Sequence, residues 1–259
     1  MAQRDRKFSR PQRFIHAPPL KGKRPSKRAP IEPPFPGAPP WKCSVYYLWW
    51  EYLRCHDGYR ETCVAGGQGN YAKLYSDFGD VHAGEFWDWW QANGVRLFAE
   101  PPPELVTELH AGTYVRKRAD AVVMSIPLDM PMRIVSRQIK RQIANRQAAH
   151  RAARVAQGAV SQARYPVAAR ANLPALYKNL EAWQARQADP DMKLYELHAK
   201  LLGITDPVKL NDAANRIDWT NEMARRIRKA RELIINVGLG FFPLIGMPRT
   251  GTMDQGKGR

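Results

Sequence analysis

WKCSVYYLWWEYLRC, residues 41–55, places Val45, Leu48, Trp49, Tyr52 and Leu53 at helical spacing. That periodicity predicts an amphipathic helix over Trp41 to Cys55, ending before Asp57-Gly58. Its rings are not isolated: six of the eight Trp lie in residues 41–110 (Trp41, Trp49, Trp50, Trp87, Trp89, Trp90). Large rings at this density imply a small helical module built on an aromatic core. A second short helix is expected over Tyr71 to Ser76. Asp80 is expected to cap a third, near Val81 to Asn93, with Gly94 just past its end. Phe86, Trp89 and Trp90 would share one face of it. Pro101-Pro102-Pro103 then reads as a boundary.

Further along, AVVMSIPL (Ala121 to Leu128) reads as a short strand limited by Pro127. Pro131 suits the first turn of a helix from Met132 to about Gln157. Helices are also expected over Leu173 to Gln187, Met192 to Leu202 and Trp219 to Val237. In the last, Met223, Ile227, Ala230, Ile234 and Val237 form a packing stripe. The fold class is therefore mainly α, with at most one or two short strands. The succession of short helices with tight breaks between Leu173 and Val237 is compatible with a helix-turn-helix.

Charge divides the chain more sharply than hydropathy does. Residues 1–40 hold ten Lys/Arg, two acids and ten of the 21 Pro; a disordered, Pro/Arg-rich arm is expected there. Residues 41–110 reverse the sign, with five Lys/Arg against ten Asp/Glu. Residues 111–259 carry 26 Lys/Arg and 12 Asp/Glu. The expected organisation is an arm (1–40), an acidic aromatic module (41–110), a basic helical domain (111–248) and a frayed tail (249–259). The formal net charge of +17 is thus segregated, as a surface for an anionic partner requires. The sequence has no run of 18 apolar residues and no apolar signal segment behind its basic start; three Cys make no disulfide framework. No membrane association and a cytoplasmic setting are expected.

The basic helices carry the functional reading. Residues 131–164 contain Arg133, Arg137, Lys140, Arg141, Arg146, Arg151, Arg154 and Arg164 and no acid. On an α-helix Arg133, Arg137, Lys140 and Arg151 fall within a sector about 60° wide, while Val135, Ile139 and Ile143 fall on another side. A ridge of like charges repels itself, and phosphates relieve that repulsion with release of counterions. Gln138, Gln142, Asn145 and Gln147 interleave with the cations, and amides suit adenine edges in a major groove. A second cluster, Arg225, Arg226, Arg228 and Lys229, continues to Arg231 and is bracketed by Glu222 and Glu232. The nucleic-acid-binding set is Arg133, Arg137, Lys140, Arg141, Arg151, Arg154, Arg225, Arg226, Arg228 and Lys229. The arm's KGKRPSKR, Lys21 to Arg28, would add nonspecific affinity.

Other chemistry is weakly signalled. Cys43, Cys55, His56, Cys63 and His82 match no metal-binding spacing, and the glycine-rich turn Gly66 to Asn70 lacks the Lys-Ser/Thr of a phosphate loop. No metal or cofactor is expected. Asp77, Asp80, Glu85 and Asp88, with His82, are the best place for a Mg²⁺-dependent nuclease, though capping explains the same residues. Tyr46, Tyr47, Trp49 and Trp90 fit core packing better than base stacking, because the module is net acidic. LGFFPLIG (Leu239 to Gly246) is either a docking element or part of the core.

LYSDFGDVHAGEFWDWWQANGVRLF (Leu74 to Phe98) and MARRIRKARELIINVGLGFFP (Met223 to Pro243) resemble segments of uncharacterised proteins of bacterial phages, plasmids and integrative elements. The resemblance implies a mobile-element origin and no activity or site residue. The expected function is non-enzymatic binding of nucleic acid, duplex DNA first, by a regulator or a replication/maintenance accessory. A structural or assembly protein holding an acidic partner or packaged genome is the alternative, with a protein partner reached through the Trp-rich module.

Overall fold

Ser44 starts the central helix: its side chain accepts the Tyr46 N–H, and α1 runs Val45–Arg54 behind a 3-10 turn, Pro40–Lys42. The computed structural model describes residues 12–22, 33–101, 109–110, 113, 121–156 and 161–247. α2 (Asp57–Val64) follows at once, with the ring of His56 as its cap. α1 thus ends before Asp57-Gly58 as expected, and the pair itself opens a new helix. α3 spans Ala72–Phe78. Asp80 does not cap the next helix; its carboxylate accepts the His82 N–H in a local turn. α4 begins at Phe86 and runs to Trp89, passes through a π turn at Trp90–Gly94 and continues as α5 (Val95–Phe98). Gly94 is interior rather than a stop, because a Cβ there would collide with the Trp90 ring and press on Trp89.

Then come α6 (Met132–Ala156), α7 (Leu173–Ala188), α8 (Leu194–Leu202), α9 (Pro207–Asn211) and α10 (Ala213–Gly238). The short α9, capped by Asp206, was not anticipated, and α10 starts six residues before Trp219 because Asp212 caps it. The chain is mainly α. Among the described residues β pairing is confined to one antiparallel bridge, Arg13 with Glu100. The expected strand at 121–128 does not form; Val123 and Leu128 are exposed. A strand needs a ladder partner, and Pro127 also removes a donor.

Two compact units result: residues 1–100 with 163–259, and residues 101–162. The break at Pro101 coincides with the triple proline. The acidic module, however, does not close on itself. Trp49, fully buried, packs on Phe78 and Phe98 and equally on Tyr165 and Phe242. The Tyr52 hydroxyl donates to the Leu176 carbonyl of α7 at 2.8 Å. α10 lies along α7 and α8 and also meets α1. Its stripe is in the core as expected, with Met223, Ala230 and Val237 fully buried. Charge sign therefore separates 41–110 from the C-terminal helices in sequence, while apolar contact joins them.

The N-terminal arm is likewise more ordered than its composition implies where it is described. Phe14 packs on Tyr46 and Trp90, Ala17 accepts from the buried Ser44 hydroxyl, and Phe35 sits 4.6 Å from Tyr177. A few apolar anchors are enough to fix these described segments. Residues 1–11 and 23–32, including most of KGKRPSKR, lie outside the described residues, as does the tail from 248. At the other end LGFFPLIG folds back: Phe242 is buried against Trp49 and Tyr52, and the Asn236 amide donates to the Leu244 and Gly246 carbonyls.

Candidate nucleic-acid interface

α6 belongs to the unit 101–162 and is one uninterrupted helix. The Pro131 carbonyl opens it, accepting from Ile134 at 2.8 Å and Val135 at 3.2 Å. Val135 is buried and Ile139 and Ile143 half-buried, so the apolar side is turned inward. Arg133, Arg137, Lys140 and Arg141 are exposed, and none of them meets a carboxylate among the described residues. Arg151 and Arg154 follow on the same helix, with side chains outside the described part. The first turn holds no acid, so Arg133 faces the positive end of the helix dipole uncompensated. Gln138, Arg141, Gln142 and Asn145 line one recess of about 600 Å³, a mixture of amide and guanidinium donors.

The α10 cations belong to the other unit and behave differently. Glu222 ties two of them down: it pairs with Arg225 through two guanidinium nitrogens and accepts from Arg226 Nε at 2.8 Å. Arg226 is largely buried. These hydrogen bonds hold the Glu222 carboxyl below its ordinary range. Arg231 lies over the Trp183 ring. Arg228 is exposed and Lys229 half-exposed, and neither meets a carboxylate among the described residues. The bracketing acid thus works as a clamp, aligning two guanidinium groups rather than merely diluting their charge.

Opposite this cluster stands the start of α7, giving a groove of about 300 Å³ between Lys178 and Asn179 on one wall and Glu222, Arg225, Arg226 and Lys229 on the other. Neither Lys178 nor Asn179 was anticipated. No local pattern marks them, because their relevance comes from a packing contact between helices far apart in sequence.

The acidic cluster is dispersed. Asp77 is buried and bound, to Arg164 at 2.5 Å and to the Tyr165 hydroxyl at 2.7 Å. Asp80 is engaged in its turn, and Glu85 and Asp88 are exposed. No group of three His, Cys, Asp or Glu placed to hold a metal occurs among the described residues. His56 is occupied as the α2 cap, Cys43 and Cys63 are buried, and burial pushes the Cys55 thiol up to about 11. Tyr46, Tyr47, Trp49 and Trp90 are core residues, none available to stack on a base. Among the described residues no helix is long and apolar enough to cross a membrane.

The histidines give the fold a pH dependence. His16, His56, His82 and His198 are all held below the imidazole value of 6.5, first by burial; Arg54 and Arg60 add to this at His82, and Arg226 at His198. Each folded ring refuses a proton that the unfolded chain accepts. Stability is therefore full above about pH 6.5 and falls as pH drops through that value. Burial raises the Glu181 carboxyl from 4.5, an opposite effect that acts at lower pH. Urea midpoints are expected to decrease from pH 7.5 to pH 5.5, and unchanged midpoints would contradict the assignment.

No protein-family model, curated protein or solved structure matches this chain.

Proposed function

We propose that the protein binds nucleic acid without catalysing a reaction, duplex DNA being the first candidate, and that α6 supplies the principal phosphate contacts. One observation carries this: an acid-free helix, Met132–Ala156, with Arg133, Arg137, Lys140 and Arg141 exposed and free of the carboxylates described around them. Such a surface is costly to the isolated protein and is relieved by a polyanion. Arg228 and the groove cations add a second contact from α10, and the interleaved amides of α6 offer base-edge contacts. A regulator or a replication/maintenance accessory of a mobile element is the role in keeping with the family resemblance of 74–98 and 223–243.

The test is a filter-binding series with duplex DNA, single-stranded DNA and RNA at several salt concentrations. The four α6 contacts alone predict a log–log salt slope of about −3.6, which the α10 cations steepen, hence a loss of affinity of roughly a hundredfold or more between 50 and 200 mM salt. Duplex is expected to be the tightest ligand. Salt-insensitive binding, or none, would remove the proposal.

A further inference from the structure

The groove between α7 and α10 has the makings of a site for one phosphate group. α7 is a 16-residue helix, and Asn172 caps it by accepting the Ala175 N–H at 3.0 Å. Pro174 brings no N–H, so few backbone donors remain at this end and side chains must do the binding. Four cations line the groove, Lys178, Arg225, Arg226 and Lys229, against one carboxylate, Glu222. That carboxylate takes the Nε of both arginines and one further nitrogen of Arg225, leaving other guanidinium N–H groups unspent.

A second observation points the same way. Asn179 lines the groove, and its side chain, in a residue only 7% exposed, sets an amide on the wall beside the cations of α10. The amide is not among the fully buried unpartnered polar atoms, so it opens to the groove, where it stands beside the excess of positive charge and can donate to a ligand oxygen. No aromatic ring lines the groove, which offers nothing for a base to stack on. Its volume of about 300 Å³ admits a phosphate with part of the group it is attached to.

We infer that the α7–α10 groove is a phosphate-binding site in which Lys178, Lys229 and the two clamped arginines neutralise one phosphoryl group and the Asn179 amide donates to an oxygen of it. The inference deepens the α10 part of the proposed function and rests on it only for the source of the phosphate. The ligand chemistry is shared by free phosphate, a terminal phosphate and a backbone phosphate of nucleic acid.

Inorganic phosphate is the first probe, titrated calorimetrically against the full chain with ionic strength held constant by sodium chloride. Saturable one-site binding is expected, weakened about tenfold or more by Lys178→Glu with Lys229→Glu, as loss of charge-assisted contacts implies. If the double variant does not fold, Lys178→Glu alone, on an exposed position, serves. Phosphate acting no better than chloride, or unchanged binding by the folded variant, overturns the site. A variant of α6, with Arg133, Arg137, Lys140 and Arg141 replaced by Glu, is expected to bind phosphate normally. Phosphate binding without duplex binding would sink the proposed function and leave the groove; the reverse would sink the groove alone. Oligonucleotides with and without a 5′-phosphate identify the source. Preference for the phosphorylated end assigns a terminal phosphate. Equal competition assigns the backbone, and no competition assigns the free anion; each is consistent with the site.

Discussion

Replacing Arg133, Arg137, Lys140 and Arg141 together by Glu is expected to abolish measurable duplex binding at about 100 mM salt, with the fold intact. The size follows from two effects. Four lost phosphate contacts remove about 3.6 from the salt slope, and four introduced carboxylates repel the backbone they face. The first effect alone accounts for roughly a hundredfold or more at moderate salt, and the second adds to it. The fold is expected to survive because all four side chains are exposed and the inward residues Val135, Ile139 and Ile143 are untouched. Glu in the first turn, where Arg133 now stands, even suits the helix dipole. Affinity within tenfold of wild type, in a variant of unchanged helicity, would exclude α6 as the principal contact. A matched variant at Arg228, one exposed cation on α10, is expected to lower affinity only modestly.

The cationic ridge of α6 was legible because everything that makes it lies on one helix. Its start at Met132, the absent acids and the inward Val135 all follow from spacing within 25 residues. α1, α7 and the stripe of α10 were legible for the same reason. Glycine and proline punctuation was a mixed guide. Asp57-Gly58 did follow the end of α1, but Gly94, read as a stop, marks a tight approach of Trp rings in the middle of a helical stretch. Pro127 lies in an unpaired segment because no partner strand exists beside it among the described residues.

Charge was the less faithful guide to organisation. The sign change near residue 110 concerns surface residues, whereas the core is made by rings and aliphatic side chains that ignore it. Tyr165 and Phe242, far along in the basic half, complete the aromatic cluster that Trp49 begins. The α7–α10 groove was illegible for a related reason. In sequence Glu222 only brackets the cluster, yet at three and four residues from Arg225 and Arg226 it orients both, and Asn179 gains its meaning only when α7 is laid against α10.

Trp49→Ala is expected to destabilise the unit formed by 1–100 and 163–259 by about 3–5 kcal/mol, the range for emptying a fully buried aromatic site. That is a large share of the 5–15 kcal/mol a domain typically has. Trp49 is fully buried, and its four ring neighbours come from α3, α5 and two segments of the C-terminal half. The cavity would therefore lie where both halves of the unit meet, and relaxation of one helix cannot fill it. Unfolding in urea, followed by fluorescence and by circular dichroism, should keep coincident transitions while the midpoint falls. Trp49→Phe separates packing from polarity. The indole N–H of Trp49 is buried without a partner among the described residues, so Phe removes an unsatisfied donor while retaining a ring, and a loss below about 2 kcal/mol is expected. Trp87, half-buried under Lys21, provides the contrast: its replacement by Ala should cost about 1 kcal/mol or less. Equal losses at Trp49 and Trp87 would show that the shared aromatic core is not what joins the acidic module to the C-terminal helices.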